Sequence, residues 1–199
     1  MADFKNLKTE RFRLRMRPAA ERLYKEIFTG CEVKDLRENG ARVHVLDQEF
    51  GIDTLLRFGS GQWLSIQEKY RSQWFLENRR YRVRKECPDF TQEYKNGVGT
   101  QHEGDGEWFH LGAQLYFYGW ANKQENGFAA WVLLDIAKYK LLVRQRGGLK
   151  AIGKRRVNRK HGRASFYCIP VLDLQPAFVI SHLPDKYLGA QRSNPSLPF

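Results

Sequence analysis

Long apolar runs are missing from this chain, and acidic residues are in deficit. No uninterrupted apolar stretch approaches the ~20 residues that a membrane-spanning helix requires, so the expectation is a soluble globular protein. Cysteine is scarce: Cys31, Cys87 and Cys168 are odd in number and widely spaced, which is no disulfide framework. The opening stretch MADFKNLKTE has no apolar centre of the signal-peptide kind. Together these features predict a reducing, cytoplasmic setting without structural disulfides. Neither a G-x-S-x-G elbow nor a G-x-x-x-x-G-K-[ST] loop occurs, and no cysteine has a histidine close by in sequence to activate it.

The acid deficit is the more informative absence. Thirty-four Lys and Arg against 22 Asp and Glu give a net charge of +12 and a pI near 9.8. A polyanionic partner is expected, with nucleic acid first. What remains is ordinary for a globular chain, 42% hydrophobic and 14% aromatic. At 199 residues the chain is long enough for one full core and short for two, which predicts a single domain over 1–199. Its core is expected over about 18–175, after a basic N-terminal segment and before a loose tail from about 190, AQRSNPSLPF.

Pro18 suits a first helical turn and Gly30 a stop, so residues 18–29 are expected as a helix, with Ala20, Leu23, Tyr24, Ile27 and Phe28 on its apolar face. ARVHVLD, FGIDTLLRF and QWLSIQEKY follow as a three-strand meander. A helix is expected over 72–84, an exposed connection over 86–107, and a hairpin made by WFHLGAQLYFYGWA and GFAAWVLLD around NKQENG. Asp135 then caps a helix ended by Gly147 and Gly148, a basic loop covers 150–163, and ASFYCIPV is the last strand.

Asp53 stands out because aspartate is depleted inside strands, so flanked by Ile52, Thr54, Leu55 and Leu56 it needs a metal, an arginine or a turn amide as partner. In the next strand, alternation sends Leu64 and Ile66 to one face and Gln67 and Lys69 to the other. If the two strands pair, a carboxylate, an amide oxygen and an ammonium converge, a combination suited to holding Mg²⁺ and activating water beside a phosphate.

The motifs GID at 51–53 and IQEKYR at 66–71, in a helix-then-three-strands order, resemble the PD-(D/E)XK nuclease superfamily, most of all the Mrr-type restriction endonucleases with a Gln-x-Lys motif. The resemblance covers about residues 18–75. It implies an α/β, restriction-endonuclease-like mixed central sheet flanked by helices, and a Mg²⁺- or Mn²⁺-dependent endonuclease acting on DNA, in restriction, defence or DNA processing. By that resemblance Asp53 is the metal carboxylate, Gln67 the ligand or positioning group in the usual acidic position, Lys69 the catalytic lysine, and Glu21 the acid of the first helix. Glu68 is a further metal ligand, through its backbone carbonyl or, with a shifted register, its side chain. The segment QHEGDGEWFH, with His102, Glu103, Asp105, Glu107 and His110, matches no familiar metal spacing.

Arg144, Arg146, Lys150, Lys154, Arg155, Arg156, Arg159, Lys160 and Arg163, interleaved with glycines, are expected to grip the phosphates of double-stranded DNA without reading sequence. The five tryptophans are expected mainly in the core, with none assigned as a base platform. A homodimer is compatible with cutting both strands of a duplex, although no stretch marks an interface. Two other functions fit the same basic charge: a nucleic-acid-binding protein on the same fold without catalysis, and an RNA-associated structural protein.

Overall fold

The computed structural model describes residues 4–36, 46, 49–158 and 163–188. The first element, α1 (Phe4–Ile27), is longer than the helix expected over 18–29, and Pro18 lies inside it. A proline there removes one backbone N–H, which costs least on an exposed flank; the adjoining Met16, Arg17, Ala19 and Ala20 are buried while Pro18 itself is exposed. The basic N-terminal segment is thus helical from residue 4.

The chain next makes β1 (Glu32–Asp35), β2 (Thr54–Arg57) and β3 (Trp63–Arg71), an antiparallel meander. Its first strand differs from the expected ARVHVLD, which, apart from Leu46, lies outside the described residues. The helix expected over 72–84 shrinks to α2 (Gln73–Glu77) and a 3₁₀ turn, Arg79–Tyr81, and Ser72 makes no side-chain cap. The cause is Arg82, which is buried and donates to the carbonyls of Leu76 and Lys85, folding the segment back on itself.

The connection expected over 86–107 instead holds β4 (Asp89–Asn96) and β5 (Gly104–Asp105). The strands β6 (Leu115–Ala121) and β7 (Phe128–Asp135) form the expected hairpin, and α3 (Ile136–Gln145) begins as expected at Asp135, whose Oδ1 accepts from the Lys138 amide at 2.9 Å. Much of the expected basic loop is regular structure: after a helical turn at Leu149–Ile152, β8 (Lys154–Val157) pairs with β9 (Ser165–Pro170), and β10 (Phe178–His182) follows. The expected tail lies outside the described residues.

Two sheets result. The larger is mixed, in the order β1-β2-β3-β6-β7-β10 with β3 and β6 parallel, and the smaller has the order β5-β4-β9-β8. The architecture is therefore mixed α/β, with helices flanking a mixed sheet. Alternation sorts the larger sheet by face. Leu56, Ile66, Leu115, Phe117, Trp131 and Leu133 meet Ala20 and Tyr24 of α1. Tyr116, Tyr118, Val132 and Leu134 point the other way and pack with Phe90, Ile169 and Tyr139, from the smaller sheet and α3. Among the described residues no helix is long and apolar enough to cross a membrane.

The α1 face carries one buried ionic cluster. Arg17 donates to Glu68 at 2.7 Å and Thr54 at 2.6 Å, and its Nε lies 2.9 Å from Asp35. The Glu68 carboxylate also accepts from Tyr24 at 2.9 Å, Thr54 at 2.7 Å and Tyr70 at 2.6 Å. Burial by itself lowers the basicity of Arg17, but Glu68, Tyr70 and Asp35 outweigh it and hold the guanidinium charged. Removing one partner of such a pair strands the other charge in the core. Arg17→Ala is therefore expected to lower the unfolding free energy by about 3–5 kcal/mol, and Lys25→Ala, at an exposed and solvent-screened pair, to leave it nearly unchanged; urea denaturation of both variants measures the difference.

Candidate functional site

The other face of β3 builds the site. Thr54 pairs with Ile66, so Asp53, one residue before, sits across from Gln67, and its amide donates to the Ile66 carbonyl at 2.9 Å. The Asp53 carboxylate is 2% exposed and its Oδ2 accepts from the Glu68 amide at 2.7 Å. A backbone amide of the neighbouring strand thus answers the need for a partner that the sequence raised.

Gln67 and Lys69 project side by side from β3 toward the smaller sheet and converge on Glu107, in a 3₁₀ turn at Glu107–His110. Lys69 Nζ lies 2.6 Å from Glu107 Oε2, and Gln67 Nε2 donates to Oε1 at 3.3 Å. Tyr116 also donates to Oε1, and Gln92, fully buried in β4, donates to Oε2 at 3.3 Å while its own Oε1 accepts from Tyr139 at 3.3 Å. Burial first, then the Glu107 charge, pushes the Tyr116 hydroxyl well above its ordinary value, so it stays a donor. Glu93 of β4 looks into the same site: burial raises its carboxyl, Lys69 draws it down and Glu107 raises it again.

Gly51 closes the floor. Its φ of +57° is left-handed, and a Cβ there would collide with Gln67 Oε1 and lie 2.9 Å from the His110 carbonyl.

Several expected site residues stand elsewhere. Glu68 points its carboxylate to the opposite face, into the Arg17 cluster, and no bulge interrupts the β2–β3 or β3–β6 register, so its side chain is not a ligand beside Gln67. Glu21 stands at the half-exposed border of the face that carries Arg17 and Tyr24, and its carboxylate pairs with Lys25 at 2.7 Å. Nothing in the sequence marks Gln92 or Glu93 as neighbours of Lys69, and the acid-rich QHEGDGEWFH is the visible sign of Glu107. Of its other acids, Asp105 pairs with Lys95 at 2.7 Å and Glu103 accepts from the Gly99 amide at 3.0 Å.

Among the described residues no group of three His, Cys, Asp or Glu side chains is arranged to hold a metal. The available oxygens are the Asp53 carboxylate and Gln67 Oε1, which is buried and has no hydrogen-bond partner. Mg²⁺ retains several waters and is commonly bound through one or two carboxylates, so this small donor set fits it better than it fits Zn²⁺ or Ca²⁺. All three cysteines are free and buried, and burial pushes the Cys168 thiol up to about 11, away from nucleophilic use.

The basic residues are spread over ordered elements. Arg144 is on α3, Arg146 caps it, Lys150 is in the following helical turn, and Lys154, Arg155 and Arg156 form β8. Arg163, at φ +47°, donates to the Gly99 carbonyl at 3.3 Å, while Arg159 and Lys160 lie outside the described residues. Arg84, Arg146 and Lys154 line a cleft of about 540 Å³ together with Asp173. Trp120 and Trp131 are core residues as expected, but Trp63 and Trp74 are 46% and 50% exposed.

Neither a protein-family model nor a curated protein nor a solved structure matches this chain.

Gly51→Ala is expected to displace the Gln67 amide and to destabilise the fold by about 1–3 kcal/mol, read by thermal denaturation. A second outcome concerns Asp89, whose carboxyl burial raises from 3.8 to about 6 despite the Val83 amide that it accepts from. A raised carboxyl stabilises the fold when protonated; that contribution is complete below 3.8 and is lost as pH rises through about 6. Asp89→Asn should flatten the stability curve across that window, which denaturation at stepped pH tests.

Proposed function

We propose that the protein is a metal-dependent endonuclease hydrolysing phosphodiester bonds in DNA, on a restriction-endonuclease-like fold of the PD-(D/E)XK kind. The observation that carries this proposal is the placement of Gln67 and Lys69 on one face of β3 with Asp53 across from Gln67 just before β2, behind a first helix and a three-strand meander. Asp53 and Gln67 would hold Mg²⁺ or Mn²⁺, which when bound supplies charge to a phosphate oxygen and acidifies water. Lys69 carries a cation to the same place, suited to neutralising charge that grows on the phosphate in the transition state. Glu107 is a positioning residue: at 2.6 Å it fixes the Lys69 ammonium, and through Nε2 it orients the Gln67 amide so that Oε1 faces away. The exposed cations of β8 and the cleft of Arg84, Arg146 and Lys154 supply phosphate contacts that carry affinity but no sequence preference. A symmetric homodimer would bring the second active centre needed to cut both strands of a duplex.

One observation favours a second reading, binding without cleavage: Lys69 and Gln67 are both engaged by Glu107, and Asp53 is the one carboxylate facing Gln67 across the strand pair.

The test is cleavage of supercoiled plasmid with Mg²⁺ or Mn²⁺, against an EDTA control. Wild type should cut, and Lys69→Ala and Asp53→Ala should each lose about 10²-fold or more, with duplex binding retained. Equal cleavage by both variants and wild type would remove the site; binding by wild type with no cleavage under either metal would establish the second reading.

A further inference from the structure

Beyond the candidate site lies a pocket of about 170 Å³ that neither the cleavage chemistry nor the core accounts for. Trp74, Phe75 and Tyr81 wall it, and all three are large apolar residues left in solvent, 50%, 45% and 49% exposed. The Trp74 ring stands 4.9 Å from Phe75, edge to face, and 5.4 Å from Tyr81. Asp89 and Thr91 of β4 and Arg156 of β8 are among its other lining residues; the Arg156 Nε is buried without an acceptor, while Asp89 accepts from the Val83 amide and Thr91 is bonded to Arg71 and Tyr118. Arg156 Nη2 donates to the Tyr81 carbonyl at 2.6 Å and so ties the aromatic wall to the smaller sheet.

The pocket adjoins the candidate site along two strands. On β3, Lys69 and Arg71 share a face about 6–7 Å apart, and Arg71 donates to Thr91 and lies 5.4 Å from the Phe75 ring. On β4, Asp89, Thr91 and Glu93 follow one another on one face, with Glu93 sensing the Lys69 charge. Lys69 therefore lies at one end of a row across β3 and β4, the bonded pair of Arg71 and Thr91 in its middle, and the aromatic wall at its other end. Exposed Arg79 and Arg80 sit on the turn that carries Tyr81.

Flat apolar rings, one unpartnered guanidinium N–H and exposed arginines nearby are what a nucleotide with its base unstacked would meet favourably: the ring stacks, its edge can accept from Arg156, and the phosphates meet arginine. Resting on the nuclease proposal, and naming the substrate form it takes, we propose that this pocket binds one unstacked nucleobase of a single-stranded or frayed segment next to the bond to be cut. A base held there anchors the strand on the β3 side that carries Lys69, so the preferred substrate is nucleic acid with a locally opened strand and not an intact duplex.

The experiment compares, by fluorescence anisotropy and without metal, the binding of the full chain to a labelled single-stranded oligodeoxynucleotide and to an abasic strand of equal length and charge. Wild type should bind the base-bearing strand about tenfold or more tightly, and Trp74→Ala and Tyr81→Ala should each shrink that ratio while leaving affinity for the abasic strand unchanged. Both rings are half exposed, so either variant should fold; circular dichroism checks this, and Tyr81→Ala stands in if Trp74→Ala does not. Equal binding of the two strands by wild type, or a ratio untouched by either variant, overturns the pocket while leaving the nuclease proposal standing. Absence of binding to either strand, together with absence of duplex binding and plasmid cleavage, overturns both.

Discussion

The buried pair of Glu68 and Arg17 fixes the rest of the arrangement. Glu68 sits near the middle of β3, and its carboxylate is held from α1 by Arg17 and Tyr24 and from the sheet by Thr54 and Tyr70. A strand has a period of two, so a side chain fixed on one face fixes its neighbours on the other. With Glu68 committed to α1, Gln67 and Lys69 face away from the helix. The same residue donates its amide to Asp53. Helix docking, strand register and the placement of the site carboxylate therefore meet in one residue. A leucine at this position could pack against α1 without choosing a register; a carboxylate that needs several donors at once is far less tolerant of a slip.

Glu107 works in the opposite sense, bringing a distant segment to β3. It belongs to the stretch between β4 and β6, and its carboxylate gathers Lys69, Gln67, Gln92 and Tyr116. A carboxylate placed among aromatic rings carries a desolvation cost, which a nearby ammonium and several donors offset. The smaller sheet supplies the walls that make those donors converge, and Phe90 packs into the rings of Tyr116, Tyr118 and Tyr139 to hold β4 in place. The site is thus made by the contact between the two sheets as much as by the β2–β3 pair.

These two interactions explain what the sequence disclosed and what it hid. Local patterns were legible: the alternation of β3, the hairpin of β6 and β7, and the cap at Asp135 each depend on neighbours within a few residues. That Gln67 and Lys69 share one face of β3, with Asp53 on the neighbouring strand, follows from the period of a strand and a short turn. Strand β4 escaped because DFTQEYKN is polar: Gln92 and Thr91 are buried by hydrogen bonds, to Tyr139 and Glu107 and to Tyr118 and Arg71, and not by apolar character. The resemblance puts an acid on the first helix, at Glu21, whereas the acid that meets that helix, Glu68, comes from β3 and is answered by Arg17. Tertiary partners decide such cases, and they are invisible to periodicity.

The glutamine at 67 takes on a different meaning once Glu107 is in place. A carboxylate at that position would stand against Glu107 and Asp53, three like charges in a poorly solvated space, and one of them would be driven to take up a proton. An amide avoids this because it has two ends: Nε2 donates to Glu107, which a carboxylate cannot do, while Oε1 is left as an acceptor. Gly51 supplies the room in which that oxygen sits, since any Cβ would displace it. Gln67 is in this sense matched to Glu107, and an acid at 67 would require the residue at 107 to change with it.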